Sequence, residues 1–168
     1  ISVFSIAYAI FLRRRSRESK TEIHELSAKI EELQDNVNRL RSTVDLSPDT
    51  IAVSREGKLI FVNQAGLALF RAETIEEVLG KHIKDFIHYS YWDIVSQRIE
   101  SMSKYLKQVP PIDLTIKRMD GSYLDVSVAS TPVLYHSYPH VITIMRDISE
   151  RKRNEEIKSR LASIVLSS

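Results

Sequence analysis

Apolar residues between positions 23 and 44 recur at alternating intervals of three and four. They are Ile23, Leu26, Ile30, Leu33, Val37, Leu40 and Val44. This is a heptad pattern with two core positions. β-Branched residues occupy the first position of each heptad and leucine occupies the fourth, which favours a parallel two-stranded coil. We predict a coiled coil over residues 18–45 that joins two copies of the chain as a parallel homodimer. The alternative is a single amphipathic helix packed on its own domain.

An uncharged apolar run covers residues 1–12 and is followed at once by Arg13, Arg14, Arg15 and Arg17. A membrane-spanning helix needs about 20 apolar residues, and this chain starts with isoleucine inside the run. We therefore expect residues 1–17 to be the end of a transmembrane helix with its basic flank, cut from a longer protein. The basic residues favour the cytoplasmic side of the cell's inner membrane for all that follows. A signal-peptide core or a surface helix is the alternative, although signal peptides carry their charge before the apolar run.

The middle of the chain alternates between strand and helix patterns. Residues 50–54 and 59–62 are short and β-rich, and Gly57 between them suits a tight hairpin. Asn63 follows the second strand and suits the N-cap of a helix through Leu69. A short helical stretch over residues 75–79 and a longer helix over residues 91–106 follow. The longer helix is predicted to place one apolar face inward, formed by Trp92, Val95, Ile99 and Met102.

The last third of the chain has the two-residue alternation of strands. Residues 112–116 and 124–128 alternate apolar and polar, and a Met-Asp-Gly-Ser turn separates them. Residues 141–145 are apolar apart from Thr143, which predicts a central strand buried on both faces. A charged helical segment begins after Asp147. The whole order predicts an α+β domain with a five-stranded antiparallel sheet and helices on one face.

Several local motifs in this order resemble the PAS fold. Residues 49–63 resemble the family's opening hairpin with its asparagine, and residues 65–70 and 80–88 resemble the helices that follow. Residues 117–122, KRMDGS, resemble the family's (K/R)-R-x-D-G hairpin. Residues 146–152, RDISERK, resemble the exit motif D-I-T with serine in place of threonine. We expect a PAS domain over residues 46–149, of the PAS/PAC sensor type found in membrane-anchored bacterial signalling proteins.

The resemblance also implies a site and a relay. The exit motif, Asp147, Ile148 and Ser149, is expected to couple the sheet to a linker helix over residues 150–168. Residues 162–168 resemble residues 42–48, so this linker is expected to lead to a second PAS domain. PAS domains hold small molecules between sheet and helices, and the candidate pocket residues are Phe61, Phe70, Phe86, Trp92, Val95, Ile99, Met102 and Ile144.

The composition of the chain excludes several classes of ligand but does not identify one. The chain has no cysteine, which excludes cysteinyl-flavin adducts, thioester-linked chromophores and thiolate metal sites. Haem needs an axial ligand such as histidine. Residues 91–106, where haem-binding PAS domains carry theirs, contain no histidine, so haem is not expected. No metal site is expected among His82, His88, His136 and His140. The cofactor stays unknown, and an empty pocket or a small molecule (acyl chain, aromatic or carboxylate) is the leading expectation.

Two functions remain open. The first is a sensor that relays a ligand-dependent change through a dimeric helical linker to a downstream kinase or cyclase domain of a two-component-type signalling protein. The second is a ligand-free module for dimerisation or protein interaction, and direct membrane-state or thermal sensing is a third possibility. No catalytic constellation occurs in the sequence, so an enzyme (sensor histidine kinase, or diguanylate cyclase/phosphodiesterase) would lie beyond Ser168. The net charge of +2 gives no argument for nucleic acid.

Overall fold

The structure, a computed structural model, describes the backbone of residues 3–166 and the side chains of Tyr8, Lys20 and residues 22–164. The chain divides into two compact units between Thr43 and Val44. The predicted start of a second PAS domain over residues 162–168 falls partly outside the described residues, and helix is described there as far as Leu166.

The first unit is one long helix. Helix α1 spans Val3–Asp45, and neither proline nor glycine interrupts it. It therefore runs without a break through the predicted boundary at residue 17. Six of the seven predicted seam residues are 53–68% exposed in the single chain, namely Ile23, Leu26, Ile30, Leu33, Val37 and Leu40. Pairing of this apolar seam with a second copy stays a prediction.

The predicted transmembrane segment receives no support from the helices described. Among the helices in residues 3–166, none is long and apolar enough to cross a membrane. The prediction concerned residues 1–17, of which the first two residues and every side chain except that of Tyr8 lie outside the described part of the chain.

The second unit is built on five antiparallel strands. They are β1 Thr50–Arg55, β2 Lys58–Val62, β3 Ile112–Lys117, β4 Tyr123–Tyr135 and β5 Tyr138–Asp147, in the spatial order β2-β1-β5-β4-β3. The last strand in sequence therefore lies at the centre, between the first and the fourth. The α+β prediction with a five-stranded antiparallel sheet is confirmed.

Helices connect β2 to β3 and leave the sheet after β5. They are α2 Gln64–Phe70, three short 3-10 helices (Ile75–Glu77, Ile83–Phe86 and Tyr89–Tyr91), α3 Trp92–Tyr105 and, after the sheet, α4 Ser149–Leu166. Inward residues of the sheet and of the connecting helices form one apolar core, which includes Phe70, Phe86 and the fully buried Val126. Alternating residues of each strand face this core, as the pleat requires.

The central strand differs from its prediction. Val141 and Met145 are buried, but Ile142 is 37% exposed and Ile144 is 44% exposed. Burial of β5 on both faces was therefore wrong. The alternation that sends Val141 and Met145 to the core sends Ile142 and Ile144 to the opposite face of the sheet.

Asn63 caps α2 as predicted and also joins the start of the domain to it. Its Oδ1 accepts hydrogen bonds from the backbone N–H of Gly66 and of Ile51, both at 3.0 Å. Its Nδ2 donates to the carbonyl oxygens of Val44 and Asp49, also at 3.0 Å. The side chain is completely buried, so every polar group that it brings into the core has a partner.

Candidate functional site

A cavity of about 80 Å³ lies between the sheet and the connecting helices. All five strands contribute to its wall, and so do α2, α3 and the second 3-10 helix. The wall is mostly apolar. Five of the eight predicted pocket residues line it: Phe70, Phe86, Val95, Ile99 and Met102. That these residues contact a ligand stays a prediction.

The other three predicted pocket residues lie elsewhere. Phe61 pairs with Val53, while Ser54 pairs with Leu59, so Ile60 is an extra residue in β2. This bulge shifts the alternation of β2 and puts Phe61 on the same face as Val53, opposite to the cavity-lining Ser54.

Ile144 and Trp92 are displaced for different reasons. Thr143 and Met145 both line the cavity, so Ile144 between them faces the opposite side of the sheet. Trp92 is the first residue of α3 and is 47% exposed. Its indole Nε1 donates a hydrogen bond to the carbonyl oxygen of Ile87 at 3.2 Å, which holds the ring at the end of the helix.

The cavity wall contains one charged side chain, that of Arg98. Its Nη2 is buried and has no hydrogen-bond partner among the residues that the structure describes. Burial lowers the pKa of the guanidinium below its ordinary value. The hydroxyl groups of Ser130 and Thr143, also in the wall, lie 3.1 Å apart and hydrogen-bond each other.

The predicted relay residues form the junction between β5 and α4. Asp147 ends β5, and its Oδ1 accepts a hydrogen bond from the backbone N–H of Ser149 at 2.8 Å. Ile148 is buried, and its backbone N–H donates to the carbonyl oxygen of Asp125 at 3.1 Å. The helix therefore begins at a point that is fastened to both β5 and β4.

Two ion pairs extend this fastening, and neither was predicted from the sequence. Arg151 Nη2 lies 2.6 Å from Asp113 Oδ2, and Lys152 Nζ lies 2.8 Å from Asp125 Oδ2. Asp113 is on β3 and Asp125 on β4, on the face of the sheet opposite to the cavity. Hydrogen bonds from Arg151 and Lys152 are the largest causes that hold the pKa of Asp113 and of Asp125 below 3.8.

Replacing Arg151 by glutamine is expected to raise the pKa of Asp113 towards 3.8 while leaving that of Asp125 lowered. A carboxyl whose pKa is lower in the docked state stabilises docking above its ordinary pKa, and this contribution disappears as the pH falls through the lowered value. In the wild type, the contribution of the Arg151–Asp113 pair to docking of the first turn of α4 should therefore be lost as the pH falls below 3.8. Carboxyl ¹³C NMR titration measures both groups. Lys158→Gln on the same helix is the control, and an unchanged pKa of Asp113 in Arg151→Gln would disprove the pairing.

These features define a class of protein: an α+β domain with a cavity between sheet and helices and a helix that follows the central strand. The profile of the PAS domain family matches residues 48–150. The chain belongs to the PAS family, as its motifs predicted.

Individual relatives agree with this assignment. Over 125 residues the chain is 33% identical to Sporulation kinase A of Bacillus subtilis (strain 168), an alignment covering 74% of this chain and 20% of that protein. The chain thus spans a fifth of the length of this kinase. The PAS domain of an HTR-like protein from Haloarcula marismortui has a TM-score of 0.65 and 25% identity, covering 73% of this chain and 99% of that one.

A further solved structure has the same fold. It is a domain of a sensory box sensor histidine kinase/response regulator from Geobacter sulfurreducens, with a TM-score of 0.56 and 16% identity, covering 68% of this chain and 96% of the other. The family profile and the likeness to Sporulation kinase A identify the chain as a PAS sensor domain similar to those in histidine kinases.

Proposed function

We propose that this chain senses a small molecule in its cavity and passes the bound state through α4 to a histidine-kinase output domain. One observation carries the proposal: the strand segments that line the cavity are those that hold α4. Ile112 and Leu114 line the cavity on either side of Asp113, which binds Arg151. Met145 lines the cavity two residues before Asp147, which caps the helix.

The mechanism follows from this shared attachment. A ligand that fits one arrangement of the strands better than another increases the population of that arrangement. Since α4 is fastened to β3, β4 and β5, a shift among these strands changes the direction or the docking of its first turn. In a parallel dimer, the two copies of α4 would change their mutual position together.

The kinase as output is supported by the likeness to Sporulation kinase A, which favours a kinase over a cyclase. The dimer is supported by the exposed heptad seam of α1. Attachment to the inner membrane through residues 1–17, with the PAS domain in the cytoplasm, rests on the apolar run and the arginine cluster after it.

Native and denaturing mass spectra of the full 168-residue chain test the sensing function. We expect a dimer in the native spectrum that carries a small additional mass, and we expect this mass to be lost on denaturation. An absorption scan of the same sample identifies any chromophore. The matched variant is Ala52→Leu, which replaces a methyl group in the cavity wall by a larger side chain and fills part of the space.

The cavity variant separates sensing from dimerisation. Ala52→Leu should remain a dimer but lose the additional mass, because the seam lies on α1 and the ligand lies in the cavity. A wild-type dimer without additional mass, which also binds no small molecule on screening, would favour the ligand-free dimerisation module. A monomer would contradict the relay through paired helices.

A further inference from the structure

We propose that the cavity recognises a short-chain monocarboxylate and that Arg98 binds its carboxylate group. This inference rests on the proposed function, since it names the class of molecule that the sensor would take. It depends on the unusual surroundings of a single guanidinium group in an apolar wall.

Arg98 lies on the face of α3 that lines the cavity. Val95, Arg98, Ile99 and Met102 have the spacing of one helical face, and all four line the cavity. The Nη2 atom of Arg98 is shielded from solvent and makes no hydrogen bond to any residue in the described part of the chain.

Other arginines of the domain are differently placed. Arg71, Arg146 and Arg151 lie at the surface, and each forms an ion pair with an aspartate: Asp120, Asp49 and Asp113, respectively. Within the described residues, no such ion pair is formed by Arg98. Arg118 also has a buried nitrogen without a partner, its Nε, but Arg118 does not line the cavity. Arg98 is thus the charged residue of the cavity wall whose buried nitrogen the described part of the chain leaves unpaired.

The chemistry of arginine selects the ligand class. A guanidinium stays charged at any physiological pH, and its planar N–H groups match the two oxygens of a carboxylate. A buried charge without a partner is costly, so an anion that supplies the missing acceptor binds favourably. A second negative charge on the ligand would itself be buried without a partner, which disfavours dicarboxylates and phosphates.

The rest of the cavity wall indicates the chemistry and size of the part of the ligand outside the carboxylate. The wall around Arg98 is apolar, and the hydroxyl groups of Ser130 and Thr143 already hydrogen-bond each other. These surroundings suit an alkyl chain. A volume of about 80 Å³ corresponds to roughly five to eight water-sized probes. A carboxylate with three to six carbons, roughly, is therefore the expected size.

Isothermal titration calorimetry of the full chain with butyrate tests this proposal, with isovalerate and hexanoate as size variants. Butyramide has the same number of non-hydrogen atoms and no charge, so it isolates the contribution of the carboxylate. For a ligand of this size we expect a dissociation constant of roughly 10 µM to 1 mM for butyrate. Butyramide should bind at least roughly tenfold more weakly.

Variants assign the effect to Arg98. Arg98→Met should weaken butyrate binding roughly 100-fold, and Arg98→Lys should have an intermediate effect because it keeps the charge without the planar fork. Lys104→Met removes a positive charge from an exposed position of the same helix and should leave binding unchanged. In the absence of butyrate, Arg98→Met should unfold at the same temperature as the wild type or higher, because it removes an unpaired buried donor.

Three outcomes would overturn the proposal. Equal affinity for butyrate and butyramide would show that the cavity does not recognise the carboxylate. Butyrate binding that is unchanged in both Arg98 variants would show that Arg98 does not hold it. Such a result leaves the proposed sensing function standing if a different small molecule is found in the mass spectra. Absence of binding for all three carboxylates would also reject a carboxylate of this size.

Discussion

Replacing Asn63 by alanine is expected to lower the free energy of unfolding of the PAS domain by about 2–4 kcal/mol. The substitution removes one hydrogen bond each from the backbone N–H groups of Ile51 and Gly66 and from the carbonyl oxygens of Val44 and Asp49. Three of these groups keep a second partner: Gly66 N–H donates to the backbone oxygen of Asn63, and Ser47 donates to the oxygens of Val44 and Asp49. A buried polar group that loses its partner costs about 1–3 kcal/mol. Small domains have about 5–15 kcal/mol of stability in total, so this one side chain supports much of it.

Urea denaturation followed by circular dichroism measures the loss. Asn63→Asp is the informative companion, because it keeps the accepting oxygen but presents a second oxygen to the carbonyls of Val44 and Asp49. It should be at least as destabilising as alanine. Asn38→Ala, an exposed position on α1, should change the unfolding free energy by less than about 0.5 kcal/mol. A loss of under 1 kcal/mol, roughly, in Asn63→Ala would mean that water replaces these bonds easily.

Replacing Leu33 by lysine is expected to raise the dissociation constant of the dimer roughly 100-fold or more. Leu33 occupies the fourth position of its heptad, which is a core position of the seam, and is 53% exposed in the single chain. Burying a leucine contributes about 1.5–3 kcal/mol, and each dimer contains this position twice. The substitution also brings two positive charges together in the seam.

Sedimentation equilibrium over a range of concentrations measures this effect. Asn38→Lys introduces the same side chain at an exposed position outside the seam and should leave the dimer intact. The circular dichroism of the PAS domain should be retained in both variants, since the seam belongs to α1. If Leu33→Lys dimerised as strongly as the wild type, the coiled coil would be wrong and another surface would join the copies.

Local sequence patterns predicted most elements of the PAS domain. The helix predicted over residues 91–106 is α3, Trp92–Tyr105, because its apolar residues follow the helical period. The hairpin between β1 and β2 follows from Gly57, where the backbone has φ +77° after Glu56 at +52°. Such signals act over a few residues and can therefore be recognised without knowing the fold.

Some pocket residues were predicted wrongly because the local sequence pattern does not determine which face of the sheet a side chain occupies. The bulge at Ile60 moves Phe61 away from the cavity. No residue type in the neighbouring sequence indicates that β2 contains an extra residue. The apolar run in β5 concealed that Ile144 lies on the opposite face, because alternation is visible only when the residues differ in polarity. Arg98 was missed, although its place within the apolar stripe of α3 is a signal that sequence alone contains.

The ion pairs at the junction between β5 and α4 join residues that are far apart in the sequence. Arg151 is separated by 38 positions from Asp113, and Lys152 by 27 positions from Asp125. Each pair forms because the register of β3, β4 and β5 brings the acidic side chain to the start of α4. Charge patterns along the chain do not contain this register, so the partners could be identified only from the folded domain.

The ion pairs that fasten α4 lie at the surface of the domain, with side chains 34–51% exposed. Exposed ion pairs contribute little net stability in water and are weakened by salt. A helix fastened in this way can be released by a weak stimulus: a ligand that prefers one arrangement tenfold supplies about 1.4 kcal/mol. The size of the response would then depend on how evenly the two arrangements are balanced and on how strongly the ligand prefers one of them. The ionic strength of the surroundings would shift that balance, so the same ligand concentration would produce different responses in dilute and in salty conditions.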